Sequence, residues 1–247
     1  MKLILDMGNT RTKVGLFDGD QLLYCDGFTS SETLEKVVLL MESYAISHAL
    51  FCAVGKNNDR YARQIIDLLP THVLSHESKL PFISLCLPFS ALGLDRIGLV
   101  AAGVKSGQGP ILVIDAGTCV TYDLLDAQNI HHGGAISPGL NMRYKAMQDH
   151  TANLPLLRPQ QPTGDFGLET HNAMHFGAVH GLASEIDGFI EFYRERFAEL
   201  TIILTGGDAE FLRVRIKNDI FAHSNFLLEG LNFILDLNIN SCSGKSS

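Results

Sequence analysis

An apolar strand that ends at Asp6 in "LDMGNTRTK" (5–13) is followed by the residue types a polyphosphate needs. A turn with Gly8 exposes successive backbone N–H groups as an anion-binding concavity, to which Asn9, Thr10 and Thr12 add neutral donors and Lys13 a nearby positive charge. Asp6 would repel a phosphate in direct contact, so it fits better in the shell of a Mg²⁺ ion that keeps several of its waters. The same residues also make an ordinary hairpin turn. "ILVIDAGTCVTYDLLD" (111–126) repeats the design with Asp115, Gly117 and Thr118. Two such turns, each opening one half of a chain, can face each other and hold one nucleotide, a reading that neither turn carries alone.

Four further stretches have chemical potential. "LGLDR" (92–96) sets Asp95 beside Arg96 where an extended segment enters a helix. This pairs a base with an anion clamp, or else forms a surface ion pair at a helix start. "GGAISPGL" (133–140) permits close backbone approach of a ligand or of another element with equal ease. In "LETHNAMHFGAVHG" (168–181), Thr170 reads as a helix N-cap. His171 and His175 have i, i+4 spacing, but no third ligand follows for a metal. "ILTGGDAEF" (203–211) is a strand running into Gly206, Gly207 and a capping Asp208, suited to a nucleoside-binding loop or to a plain strand-to-helix connection.

The elements that would position these residues alternate. Residues 2–28 read as a three-strand meander; Thr29 and Glu32 form a capping box before a helix over 31–44. A buried strand at 48–55, a helix at 58–69 stopped by Pro70, and a short strand at "THVL" follow. An apolar helix after Asp95 ends in the Gly-containing turn at 107–110, where the halves 1–108 and 109–247 divide. The second half restarts with two strands and continues with a helix over 139–150, two longer helices between 170 and 198, a strand at "TIILTGG" and a helix near 227–237. The fold class is α/β, two related domains each with a mixed sheet flanked by helices.

With 247 residues, 46% of them hydrophobic, the chain can fill real cores, and no run approaches the roughly 20 apolar residues of a membrane span. It starts with Lys2 and a strand in place of a signal peptide, so a cytoplasmic protein is expected. Five scattered cysteines without CxxC spacing read as reduced thiols, neither a disulfide frame nor a zinc site. A net charge of −8 and the absence of Trp provide no basic stripe for nucleic acid and one stacking residue fewer, which favours a small-molecule ligand.

Taken in order, "DMGNTRTK", "LGLDR", "DAGTCVTYD", "GGAISPGL", "HTANLP", "THNAMHFGAVHG" and "LTGGD" resemble the type III pantothenate kinases, from residue 3 to about 237. That family belongs to the acetate and sugar kinase/Hsp70/actin superfamily, whose duplicated domains clamp ATP. The resemblance implies ATP-dependent phosphorylation of pantothenate to 4′-phosphopantothenate, the first step of coenzyme A biosynthesis, by a homodimer. It assigns ATP phosphates to Asp6, Met7, Gly8, Asn9, Thr10, Arg11, Thr12 and Lys13, and a further ATP contact to Thr118. Pantothenate falls to Gly93, Leu94, Asp95 and Arg96, with Asp95 as proton acceptor, and to Thr170. A monovalent cation, K⁺ or NH₄⁺, falls to Asp115, and Mg²⁺ accompanies ATP near Asp6. Relatives usually carry a Tyr and then a Pro shortly before Leu-Gly-x-Asp-Arg; here Cys86 stands roughly where the Tyr would be, and Phe89 is the aromatic at hand to substitute. Two other activities are compatible with the same turns: a nucleotide or polyphosphate phosphohydrolase, and an ATP-binding regulator with negligible turnover.

Overall fold

Strand β1 (Lys2–Met7) is almost wholly buried, as its unbroken apolar run requires. The chain then returns twice, as β2 (Thr12–Asp18) and β3 (Gln21–Phe28), both pairings antiparallel. The structure, a computed structural model, describes residues 1–8, 11–53, 59–107 and 109–239. Helix α1 (Ser30–Ser43) starts at the expected capping box, with Thr29 N–H donating to Glu32 Oε2 at 3.0 Å. There follow β4 (His48–Ala53), α2 (Asp59–Ile66), β5 (Thr71–Val73), β6 (Ile83–Ser84) and α3 (Leu94–Ser106). Residues 54 and 55 of the expected strand and residue 58 of the expected helix lie outside the described residues.

The second meander is β7 (Ile111–Ala116), β8 (Cys119–Leu125) and β9 (Ile130–Pro138), followed by α4 (Leu140–Asp149), α5 (Thr170–His175) and α6 (Gly181–Arg194). The last elements are β10 (Thr201–Thr205), α7 (Ala209–Leu212), β11 (Phe221–Ala222) and α8 (Phe226–Ile239). Where two separate helices were expected between 170 and 198, α5 and α6 form one run joined by a π-helical turn over Phe176–His180. Buried Ala178, Val179 and Leu182 carry the apolar face through the turn, so Gly177 and Gly181 do not stop the helix.

The sheet orders are β3-β2-β1-β4-β5 and, around the second meander, β9-β8-β7-β10-β11, the same arrangement twice. In each, the first strand pairs antiparallel with the second and parallel with a later strand: β1 with β4, β7 with β10. Asp6 and Asp115 thus occupy equivalent places, each near the end of its sheet's opening strand. One core gathers Leu3, Leu5, Met7, Val14, Leu16 and Phe51; the other gathers Leu112, Ile114, Tyr122, Ile186, Ile202 and Leu204.

The chain divides into two units: the described residues of Met1–Gly107, Asn129–His131 and Asn225–Ser247, and those of Gln108–Gln128 and His132–Ser224. Helix α8 therefore lies with the first unit, although the expected division at 108/109 put it with the second half. It packs on α3 backbone to backbone: a Cβ on Gly230 would lie 1.9 Å from Gly98 O and 2.8 Å from Ala102 N. Lys2 Nζ meets Asp236 at 2.7 Å, and Asn232 donates to Gly19 O at 3.1 Å, tying α8 to β1 and to the β2–β3 turn. Gly230→Ala is expected to destabilise the fold by about 1–3 kcal/mol, because two helices in contact through their backbones must separate to admit a methyl group. Thermal unfolding checks this: each kcal/mol should lower Tm by about 2–4 °C in a chain of this size.

Candidate active site

In the first unit, strand register sets Asp6 directly opposite Lys13, and both are half-buried. Gly8 N–H donates to Arg11 O at 3.1 Å, closing the turn; Asn9 and Thr10 lie outside the described residues. Met7 has its side chain fully buried in the core, which leaves its backbone as the part able to meet a ligand. Arg11 is exposed, and its guanidinium donates to Gly27 O. Thr12 is 0% exposed, and its hydroxyl has no hydrogen-bond partner among the described residues. Buried hydroxyls are usually paired, so an orphan beside this turn suits a ligand oxygen.

Helix α3 begins at the predicted place. Gly93 is its N-cap and Leu94 its first residue. The Asp95 carboxylate folds back so that Oδ1 accepts the Arg96 N–H at 2.8 Å. A Cβ at position 93 would lie 2.4 Å from that oxygen, so a side chain there would push the carboxylate out of this position. Cys52, fully buried and level with Asp6 in the β1–β4 pairing, has its thiol pushed well above the ordinary range, first by burial and then by the charges of Asp6 and Asp95. Of the two carboxylates, Asp6 is the one the strand register places beside this thiol.

His76, which the sequence reading missed, holds the approach to α3. Its Nε2–H donates to Leu92 O at 2.8 Å, and its ring meets Phe89 edge-on at 5.4 Å. Phe89 is thus engaged with His76. Cys86 is half-buried, its Sγ 4.0 Å from Nδ1 of the fully buried His131, which also meets Ser84 Oγ at 2.9 Å. No local pattern marks contacts between residues so far apart in the chain.

In the second unit, Asp115 is half-buried, Gly117 N–H donates to Cys119 O at 2.9 Å, and Thr118 is exposed at the turn. Two glycines press on this turn. A Cβ on Gly206, whose φ is +97°, would lie 2.3 Å from Asp115 Oδ1 and 2.4 Å from Ala116 O; one on Gly139 would lie 2.1 Å from Gly117 O. A Cβ on Gly134 would lie 1.7 Å from Tyr122 O, so backbone packing accounts for glycines in "GGAISPGL". Asp208 precedes α7 without a side-chain cap bond; its N–H donates to Ala116 O at 2.9 Å, and burial holds its carboxyl above the usual range.

Thr170 is not the N-cap of α5 but its exposed first residue. The longer Glu169 reaches the helix start instead, accepting the N–H groups of Asn172 at 2.5 Å and His171 at 2.9 Å; these bonds hold its carboxyl below the usual range. His171 is exposed, whereas buried His175 meets the Tyr144 hydroxyl at 2.7 Å. Among the described residues, no cluster of three His, Cys, Asp or Glu side chains suited to a metal occurs.

Repeated sheets, each opened by a strand ending in an Asp-x-Gly turn, define a duplicated, actin-like α/β fold. A glucokinase structure from an Antarctic psychrotroph matches 95% of this chain and 98% of its own, with a TM-score of 0.50 at 11% identity. A Campylobacter jejuni structure described as a Baf family transcriptional activator matches 96% and 99%, with a TM-score of 0.67 at 22% identity. The sequence is more particular. The type III pantothenate kinase family model matches residues 2–192. A type III pantothenate kinase of Flavobacterium johnsoniae is 43% identical over 94% of this chain and 96% of its own length, and one of Christiangramia forsetii is 40% identical over 96% and 99%. The chain belongs to the type III pantothenate kinase family. Among the described residues, no helix is long and apolar enough to cross a membrane.

Proposed function

We propose that the chain transfers the γ-phosphoryl group of ATP to the primary hydroxyl of pantothenate, giving ADP and 4′-phosphopantothenate in the first step of coenzyme A biosynthesis. The observation that carries this reading is the fully buried Thr12 hydroxyl, left without a partner among the described residues beside the Asp6–Lys13 turn, in a chain of the type III pantothenate kinase family. Phosphoryl transfer asks a protein for in-line positioning and charge neutralisation more than for covalent participation.

The backbone from Asp6 to Lys13 cradles the phosphates, with the Thr12 hydroxyl and the Lys13 ammonium as donors, and Thr118 makes a further ATP contact. Gly93, Leu94, Arg96 and Thr170 hold pantothenate, Arg96 through its carboxylate. Asp95 orients the substrate hydroxyl and accepts its proton as the new P–O bond forms and the bond to ADP breaks. Oxygen donors fit both expected cations: the Asp6 carboxylate for Mg²⁺, and the half-buried Asp115 carboxylate, in a place only a glycine at 206 leaves open, for K⁺ or NH₄⁺. When bound, these ions offset the negative charge of ATP in a protein of net charge −8. The enzyme works as a cytoplasmic homodimer, for which the exposed Phe192 on α6 supplies apolar surface.

ADP release from purified protein with Mg-ATP, with and without pantothenate and with K⁺ replaced by Na⁺, tests the reading. Release that requires both pantothenate and K⁺ is expected. Release without pantothenate would make the chain a phosphohydrolase, and ATP binding without release would make it a switch.

A further inference from the structure

The corner between β9 and α4 touches the second Asp-x-Gly turn directly. Gly139 N–H donates to Thr118 O at 3.2 Å, and a Cβ there would lie 2.6 Å from the same oxygen. At this spacing a small shift of the corner either crushes the turn or loses the bond.

A carboxylate outside the turn holds that corner. Glu185 on α6 accepts through Oε1 from the hydroxyls of Tyr122 at 3.1 Å and Ser137 at 2.5 Å, and through Oε2 from Arg143 Nη2 at 2.5 Å. Arg143 donates its Nε–H to Pro138 O at 2.8 Å, with Nη2 3.5 Å from Ser137 Oγ. Ser137, Pro138 and Gly139 are consecutive, so this one carboxylate and its arginine grip the two residues before the glycine that contacts the turn. The Arg143 and Glu185 side chains are 21% and 27% exposed, and the third arm ends on the fully buried Tyr122. Charge-assisted bonds in such a partly dry place are stronger and more directional than on an open surface.

We propose that Glu185 is a positioning residue for the ATP side of the reaction: through Ser137 and Arg143 it fixes the corner against which the Asp115–Thr118 turn is built. The proposal rests on the reading of Thr118 as an ATP contact and Asp115 as the cation ligand. Glu185→Gln keeps a carbonyl oxygen for Tyr122 and Ser137 but can turn an NH₂ group toward Arg143, cutting that arm. Arg143→Lys keeps the charge and loses the Nε–H bond to Pro138.

Steady-state kinetics of both variants, beside Thr118→Val as a reference and with thermal unfolding of each, test the proposal. In both variants the KM for ATP and the K⁺ concentration for half-activation should rise about tenfold, the size of effect seen when partners of a site's ligands are removed. The KM for pantothenate and kcat at saturating ATP and K⁺ should stay within about twofold, a split that simple loss of folded protein does not produce. If Glu185→Gln fails to fold, Arg143→Lys carries the test. A lower Tm with unchanged Michaelis constants, or an ATP effect in Thr118→Val alone, overturns the positioning role and leaves the ATP reading intact. No ATP effect in Thr118→Val overturns the ATP reading itself, and the proposal with it.

Discussion

Replacing Asp95 by asparagine should lower kcat by about 10²–10⁴-fold, the usual worth of a positioned general acid or base, with both Michaelis constants changed only a few-fold. Asparagine keeps the shape of the side chain and an oxygen that can accept the Arg96 N–H, the bond that now measures 2.8 Å, so the start of α3 survives. What it loses is the ability to take the proton of the substrate hydroxyl. In a loose transition state that proton leaves late, so the loss appears in turnover and not in binding. ADP release under saturating substrates, beside a thermal melt of the same protein, checks this. An unchanged kcat would remove Asp95 from the chemistry. Cys52 serves as an internal control: burial is the first cause of its raised thiol, ahead of Asp6 and Asp95, so it should stay unreactive to alkylating reagents in the variant.

Gly206→Ala should damage both stability and cation use. At φ +97° the position suits only glycine without strain, and a side chain in such a conformation costs of order 1–3 kcal/mol. The methyl group would also fall 2.3 Å from Asp115 Oδ1 and 2.4 Å from Ala116 O, so the turn must move or the carboxylate must swing away. A drop in Tm of several degrees is expected, together with loss of K⁺ activation at concentrations that saturate the parent enzyme. Retained K⁺ activation in a folded variant would separate the cation from Asp115.

Much of this was readable along the chain. Both Asp-x-Gly turns, the three-strand meanders, the Thr29–Glu32 capping box and the entry of "LGLDR" into a helix depend on residues a few places apart, where local sterics and hydrogen bonds decide the outcome. The order of motifs from "DMGNTRTK" to "LTGGD" likewise points to the kinase family without coordinates. The errors were local choices settled by reach or packing. Thr170 has the right residue type for a cap, but the longer Glu169 side chain, one residue earlier, satisfies two helix N–H groups. Two separate helices were expected between 170 and 198, yet a continuous buried face over Ala178, Val179 and Leu182 carries one run through the π-helical turn.

Strand ends and helix starts follow from signals a few residues long, and so can be read along the chain. The tertiary structure settles which of those residues meet. It packs α8 on α3 through Gly98 and Gly230, brings the charges of Asp6 and Asp95 to bear on Cys52, presses Gly139 and Gly206 against the second turn, and draws Tyr122, Ser137 and Arg143 onto Glu185. These contacts join residues tens to more than a hundred positions apart. They form because burying two cores leaves each paired group few places to go, and a reading of local pattern has no term for that.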